Sequence, residues 1–530
     1  VIVSAEDNAE MRRLSIANYS TRPREIELTS YAEVVLASRA DDLAHPAFSN
    51  LFIETEFYAP HSALFARRRP RSSQDEPVWG VHVLSTSSET ITGIQFETDR
   101  ARFLGRGHTT AGPVAVMEDR PLSNTVGAVL DPIFSLRCRI RLLPNQTAQI
   151  VFTTGVAKSR EHAISLAEKY RDANIFERES RLAWTRAQVE MSHLHIDPNE
   201  AHLFQRLAGR ILYTDPSLRP RPHVLALNKL TQSGLWSLGI SGDLPIVILR
   251  LDREEDIQLA RQLLRGHQYL RSKGLQFDLV ILNDHPTGYA ESLQDALQIA
   301  VRTSGAAGLL DKPGGVFVRR SDMMPEDVRI LLHSVARLVI VSERGSLEDQ
   351  LVRRPVEETL LPPPFQPRSP SQIYPESSPD PPKMSFFNGL GGFAQAGREY
   401  VIMLGEGQWA PAPWSNVIAN NPDFGFLITE TGAGFTWSLN SHENRLTPWS
   451  NDTVSDPPAE VIYLRDEDSG TTWTPTPLPI REAQGYMIRH GQGYSVFEHA
   501  SHGISQELLV FAPLDAPVRI SLLRLRNRSD

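Results

Sequence analysis

The sequence predicts a multidomain α+β chain in which two antiparallel β-sandwich domains flank a mainly helical middle region. Three observations lead there. Short β-prone runs broken by Gly, Pro and Asn fill residues 1–157 and return over 384–530. Apolar positions fall at helical spacing from 158 to 351, and a proline-dense stretch over 352–383 sets the second group of strands apart. At 530 residues the chain exceeds what one core can hold, and length alone suggests three or four domains.

In the first sandwich, residues 24–36 begin with alternation and end as a buried run, and 51–57, 80–84, 91–96 and 148–153 read as further strands. His45-Pro46, Pro60-His61, Gly105-Arg106-Gly107 and Pro144-Asn145 mark turns. Cys138, the single cysteine, lies in an alternating run over 135–142; it reads as a strand residue and excludes an intrachain disulfide. Residues 158–195 form a helical linker. Its first helix is capped by Ser159, whose oxygen can accept an early amide, and Ile164, Ala167 and Tyr170 supply an apolar stripe.

A mainly helical domain over 196–351 follows. Asp197-Pro198-Asn199-Glu200 opens a helix with a cap, a first-turn proline and a glutamate three residues on, and its buried face is Leu203, Phe204, Leu207, Ala208, Ile211 and Leu212. Asp252-Arg253-Glu254-Glu255 reads as a capping box for a helix ending at Gly274. A strand over 275–283, a helix over 290–303, a strand over 316–318 and a helix over 325–338 come next. Taken alone, that order is a βα alternation.

Bulk properties narrow the function. Composition is that of an ordinary folded chain, with 41% apolar and 22% charged residues and a mean hydropathy of -0.27. A net charge of -9 gives no general reason to bind nucleic acid, and the cluster Arg67-Arg68-Arg69-Pro70-Arg71 reads as a solvated loop. No apolar run approaches the ~18–20 residues that cross a bilayer, and no signal peptide is expected. The chain starts at Val1 without methionine and ends in a strand-like run, which predicts a segment of a longer protein.

The stretch 386–480 carries the chemical signal. It reads Asn388-Gly389-Leu390-Gly391-Gly392-Phe393, Arg398-Glu399-Tyr400-Val401-Ile402, Pro413-Trp414-Ser415-Asn416, Gly434-Phe435-Thr436-Trp437, Glu443-Asn444-Arg445-Leu446-Thr447-Pro448-Trp449-Ser450-Asn451-Asp452 and Tyr463-Leu464-Arg465-Asp466. Aromatics beside Asn, Asp and Arg are what a sugar-binding face needs: flat rings cover pyranose faces, and amides or guanidinium groups hold hydroxyl pairs. Buried sandwich tryptophans with polar turns are the plainer reading. Taken in order, the series resembles the opening β-domain of the glycoside hydrolase family 94 phosphorylases, formerly glycosyltransferase family 36, and within them the phosphorylase-like region of cyclic β-1,2-glucan synthases. The likeness returns at His45-Pro46-Ala47-Phe48-Ser49-Asn50-Leu51-Phe52 and at Arg102-Phe103-Leu104-Gly105-Arg106-Gly107.

The two ends also resemble each other. Val1-Ile2-Val3 through Asn18-Tyr19-Ser20 runs parallel to Val510-Phe511-Ala512 through Asn527-Arg528-Ser529, with Met11 opposite Ile520. The resemblance implies that the phosphorylase-like region of the glucan synthases is built on such a duplication, so the chain is expected to hold the later part of one sandwich of the family's supersandwich type and the earlier part of a second. The resemblance also implies a helical (α/α) toroid in the middle, degenerate here because too few residues are available for a complete one.

Function follows from the same likeness. Phosphorolysis needs a carboxylic acid to protonate the leaving oxygen and inorganic phosphate as co-substrate. In the family that acid is an Asp in the helical barrel after the β-domain, expected beyond Asp530, so this segment alone is expected to be inactive. Asp243, after the turn Ser233–Gly242 and near Trp236, is a weak catalytic candidate and reads more simply as a helix N-cap. Asp278, Asp284, His285 and Glu291 sit near a strand end without metal or acid/base spacing. Gly389-Leu390-Gly391-Gly392 lacks the following Lys-Ser/Thr of a phosphate loop and reads as a turn. The expected glucan contacts are Trp414, Asn416, Arg445, Trp449, Asn451 and Asp452. The expected partner is a β-1,2-glucan chain, with no nucleic acid, no metal, no cofactor, no membrane contact from the segment itself, and room for a homodimer. By resemblance the parent enzyme uses UDP-glucose elsewhere and lies at the cytoplasmic face of a bacterial inner membrane. A free-standing β-1,2-oligoglucan phosphorylase and a non-catalytic carbohydrate-binding scaffold are the rivals.

Overall fold

A computed structural model describes residues 1–70, 72, 75–86, 91–172, 174–285, 292–352, 380–421 and 423–528. Glu291 and most of the proline-dense stretch lie outside the described residues. The chain divides into two units, one made of residues 1–183 with 363–530 and the other of 184–362.

In the first unit, a six-stranded antiparallel sheet runs in the order Ile2–Val3, Ala9–Ala17, Thr147–Ala157, Trp79–Thr86, Ala63–Arg68, Ile53–Tyr58. A second sheet is centred on Pro132–Leu142, which pairs with Arg24–Thr29, Ala32–Glu33 and Ile91–Asp99. Alternation sorts the side chains. Leu64, Ala66, Ile150 and Phe152 meet Phe134, Leu136 and Cys138 between the sheets. Their neighbours Phe65 and Val151 pack on the other face against Ala163, Leu166, Ala167 and Tyr170 of the helix Arg160–Tyr170. Burial on both faces explains why these strands read as continuous apolar runs, and each large side chain contributes about 1.5–3 kcal/mol of transfer free energy. Ser159 caps that helix as expected, accepting from the His162 amide. The basic cluster is not a loop at its start: Arg67 and Arg68 end the strand Ala63–Arg68, and Arg67 pairs with Glu54 across to Ile53–Tyr58.

The second sandwich of this unit has a six-stranded sheet ordered Gly391–Ala394, Glu399–Leu404, Tyr486–Gly491, Tyr494–Ser501, Ile504–Phe511, Ile520–Asn527. Its core forms where Ile402, Leu404, Ile488 and Phe497 meet Ile418, Phe426 and Ile428 of the three-stranded sheet Ser415–Asn421, Phe424–Thr429, Gly434–Ser438. Both ends of the chain form an antiparallel pair in matching register: Ile2 sits opposite Met11, and Phe511 opposite Ile520.

The second unit corrects the toroid expectation. Four parallel strands are ordered Val316–Arg320, Asp278–Asn283, Ile246–Leu251, Leu338–Val341. One face carries Val247, Leu249, Leu279 and Ile281 against the helices Pro198–Leu212, Ile257–Ser272 and Ser292–Arg302; the other carries Ile248, Val280 and Phe317 against Glu326–Val335. Strands apolar on both faces cannot be covered by a ring of helices alone; they need a sheet between two helical layers. The local βα reading therefore prevails over the family analogy. Asp197 caps its helix through the Glu200 amide, but Leu212, expected on the buried face, is exposed. The capping box at Asp252 does not form: Glu254–Asp256 is a 3-10 turn, the helix begins at Ile257, and Asp252 Oδ1 instead accepts from Ser342 Oγ at 3.2 Å. Asp243 caps no helix either, because the next element is the strand Ile246–Leu251.

Candidate functional site

Two loop segments of the first unit meet through a buried ion network. Asp99 caps the short helix Arg100–Leu104 by accepting from the Ala101 amide, which fixes Arg100 at its first position. The Arg100 fork donates from both terminal nitrogens to both oxygens of Asp452 at 2.8 Å. It also reaches Asp131 at 2.8 Å, Glu33 at 3.0 Å and the Tyr31 hydroxyl at 3.1 Å. Asp452 further accepts the Val454 and Ser455 amides at 2.9 and 3.0 Å and the Ser455 hydroxyl. Burial opposes its ionisation, yet the Arg100 fork outweighs burial and holds the carboxyl well below the usual carboxylate range. At Asp131 the balance is reversed: burial pushes the carboxyl up despite Arg100. Val454 packs beside Phe103 and Leu104, so the ion network sits on an apolar footing.

A few residues on, Arg106 donates to Glu430 at 2.9 Å and Asp456 at 3.1 Å, and the Gly107 amide donates to the Val454 carbonyl at 2.8 Å. Gly107 has a positive φ and faces Trp409 so closely that a Cβ would lie 2.5 Å from the ring. Asp456 takes hydroxyl donations from Thr429 and Thr431 at 2.9 and 2.7 Å. Glu430 is fully buried; burial, reinforced by Asp456 and opposed by Arg106, pushes its carboxyl up to about 7.

Beside Arg100 opens a cleft of about 250 Å³, lined by Glu33, Asp42, Asn50, Asp131, Asn451 and Asp452 among others. His45 caps the helix Pro46–Asn50 through its ring nitrogen, which lies 3.1 Å from the Phe48 amide. The same nitrogen is 3.1 Å from the Asn451 amide. The Trp449 ring is edge-on to His45 at 5.8 Å and stacked on Phe435 at 4.9 Å, with the Arg445 guanidinium over both. Asn50 Oδ1 is buried without a hydrogen-bond partner.

Of the residues singled out in the sequence, Asn451 and Asp452 thus line the cleft, while Arg445 and Trp449 belong to the same loop but do not line it. The other two lie elsewhere. Asn416 spends its amide on the Gly491 and Tyr494 carbonyls, both at 2.9 Å, and on Ser495 at 3.1 Å, holding a hairpin. Trp414 packs edge-on against Tyr400, and its amide donates to Glu430 at 2.8 Å. Asp243 is an exposed residue of the second unit that accepts from Gln232 at 3.1 Å. In that unit Asp278 opens its strand, while Asp284 and His285 follow the other end; Asp284 pairs with Arg250 at 2.6 Å. Sequence reasoning missed Glu33, Asp42, Asn50, Arg100 and Asp131. The available signal was the pair Asp99-Arg100 opening a helix beside the noted 102–107 motif.

Comparison with known proteins places this architecture. The family model of the glycosyl hydrolase 94 supersandwich domain matches residues 1–173 and 398–530, more than half of the chain. The chain belongs to that family. It is 37% identical over 542 aligned positions to cyclic beta-(1,2)-glucan synthase NdvB of Rhizobium meliloti (strain 1021), an alignment covering 100% of this chain and 19% of that protein. It is 33% identical over 144 positions to N,N'-diacetylchitobiose phosphorylase of Vibrio proteolyticus, covering 26% of this chain and 17% of that enzyme. Against solabiose phosphorylase of Paenibacillus borealis identity is 36% over 69 positions, covering 13% and 9%. The chain thus spans about a fifth of the length of the glucan synthase. It is a glucan-synthase-related, phosphorylase-like region, and among its described residues no helix is long and apolar enough to cross a membrane.

Proposed function

We propose that this chain is the glucan-handling region of a cyclic β-1,2-glucan synthase and that it binds the growing β-1,2-glucan, so that a family 94 site elsewhere in the parent can trim or transfer it. One observation carries the reading: the likeness to the glucan synthase runs through the entire chain, middle unit included. The cleft supports it. Its cation, Arg100, is already neutralised by Asp131 and Asp452, while Glu33 and Asp42 retain acceptor capacity for sugar hydroxyls. An acidic lining disfavours phosphate here, so inorganic phosphate would act at another site.

Neither Asp452 nor Glu430 suits protonating a bound sugar. Asp452 stays ionised, and Glu430, although able to carry a proton near neutrality, is sealed from any ligand. Trp449 and Asn451 would border the sugar, with Arg445 steadying the tryptophan ring.

Titration calorimetry of the whole chain with linear β-1,2-gluco-oligosaccharides tests this. Binding is expected, and Asp42→Ala or Glu33→Ala should weaken it by about five- to tenfold, the cost of one lost hydrogen bond to a sugar hydroxyl. Wild-type protein that takes up no glucan refutes the reading. A free-standing phosphorylase is the second reading, favoured by the likeness to the chitobiose and solabiose phosphorylases. Glucose 1-phosphate release by this chain itself, given β-1,2-glucan and phosphate, would decide for it.

A further inference from the structure

The run 28–42 forms a wall of three cavities in succession. Residues 28–32 line a space of about 420 Å³ together with Leu14, His82, Phe152, Thr154 and the ion pair of Arg12 with Glu10. Glu33, Val34, Val35 and Asp42 line the cleft beside Arg100. Residues 36–38 and Asp41 line a third space of about 450 Å³ with Arg68 and Arg69. Tyr31 joins the first to the second: it lines the former, while its hydroxyl donates to Glu33 at 2.7 Å and accepts from Arg100 at 3.1 Å, both residues of the latter. The helix Arg39–Ala44, capped by Ser38, joins the second to the third, since Asp41 and Asp42 face one each.

The lining selects the ligand's chemistry. His82 is neutral, because burial pushes it down to about 4 and its two ring nitrogens meet the Ser30 and Thr154 hydroxyls at 2.9 Å. Arg69 donates to the Leu51 carbonyl at 2.7 Å, and Arg68 to the Ser49 carbonyl at 3.0 Å. An anion would meet Glu33, Asp41 and Asp42, and a purely apolar ligand would desolvate those carboxylates without giving them a donor. A neutral molecule with many hydroxyl donors, and apolar faces to lay on Leu14, Leu28 and Phe152, meets every requirement. No single space is large against the roughly 300–1,000 Å³ of ligand pockets, so a compact ligand would leave two of them idle.

We propose that residues 28–42 form an extended track with three successive subsites for a neutral oligosaccharide several hexose units long, an inference that rests on the glucan reading above. A chain spanning linked subsites gains affinity with each one filled, so the track responds to length as well as to linkage.

The test is calorimetry on the whole chain with linear β-1,2-gluco-oligosaccharides graded from two to roughly eight units. Affinity is expected to rise at least about tenfold from the shortest to the longest and then to level off. Leu14→Trp, which fills the first cavity from a position already 39% exposed, and Ala37→Trp, which fills the third, should each lower long-chain affinity about tenfold and flatten the length dependence. Affinity independent of length in the wild type overturns the track and leaves the single-cleft glucan reading standing. Absence of binding at every length overturns both. Should either variant fold poorly by circular dichroism, the wild-type length series still decides.

Discussion

At the scale of single residues, the ion network around Arg100 is the most consequential feature. Replacing Arg100 by alanine strands two carboxylates that are mostly buried, Asp131 and Asp452, and is expected to cost about 3–5 kcal/mol in urea unfolding. Arg100→Lys should recover only part of this, since a single ammonium cannot make the two-pronged contact with Asp452. Glu430 gives a pH signature. Its folded value near 7 lies above an ordinary value of 4.5, so the folded state holds more protons across that window. Stability contributed at this site is therefore full below about 4.5, falls as pH rises toward 7, and levels off beyond. Glu430→Gln should remove that slope from a series of melting temperatures between pH 5 and 8; parallel curves for both proteins would sink the assignment. Asp452 acts at the opposite end, its stabilisation present above the ordinary carboxylate value of 3.8 and lost as pH falls below it toward the depressed folded value. These partners could not be read from the sequence. Arg100 and Asp452 stand 352 positions apart, and no local rule links them, whereas the loop bearing Arg445, Trp449 and Asn451 stood out by its composition.

At the scale of elements, caps were legible where the chain competes only with itself. Ser159 and Asp197 each bond the amide three residues on. Asp252 had the same local pattern but finds a partner in Ser342, and a tertiary contact overrode the motif. Asp197→Ala should therefore lower stability by about 1 kcal/mol, the usual value of a lost N-cap. Asp243→Ala should stay within about 0.5 kcal/mol, as expected of an exposed residue that caps nothing. Equal losses in thermal unfolding would mean that the two aspartates are not distinguished as the structure has them.

At the scale of the whole molecule, the two sandwiches were foreseen and the middle was not. Alternation and turn residues marked the strands of the sandwiches, and matching termini pointed to the register now seen at Ile2–Met11 and Phe511–Ile520. In the middle, the family analogy obscured a pattern the residues already displayed: every position of Asp278–Asn283 is buried, as an inner strand of a parallel sheet requires. Amide hydrogen exchange should show it. The amides of Asp278–Asn283 are expected to be among the slowest, and those of the mostly exposed strand Ile520–Asn527 among the fastest of any strand. The reverse order would contradict the sheet.

Cys138 lies between the two sheets of the first sandwich, and burial pushes its thiol up to about 11. With no other sulfhydryl in the chain, maleimide dyes added at neutral pH should find no target in the folded wild type. The protein is thus supplied with a silent labelling background. A cysteine introduced at Tyr463, exposed on the surface, would carry a single fluorophore without first removing the native one.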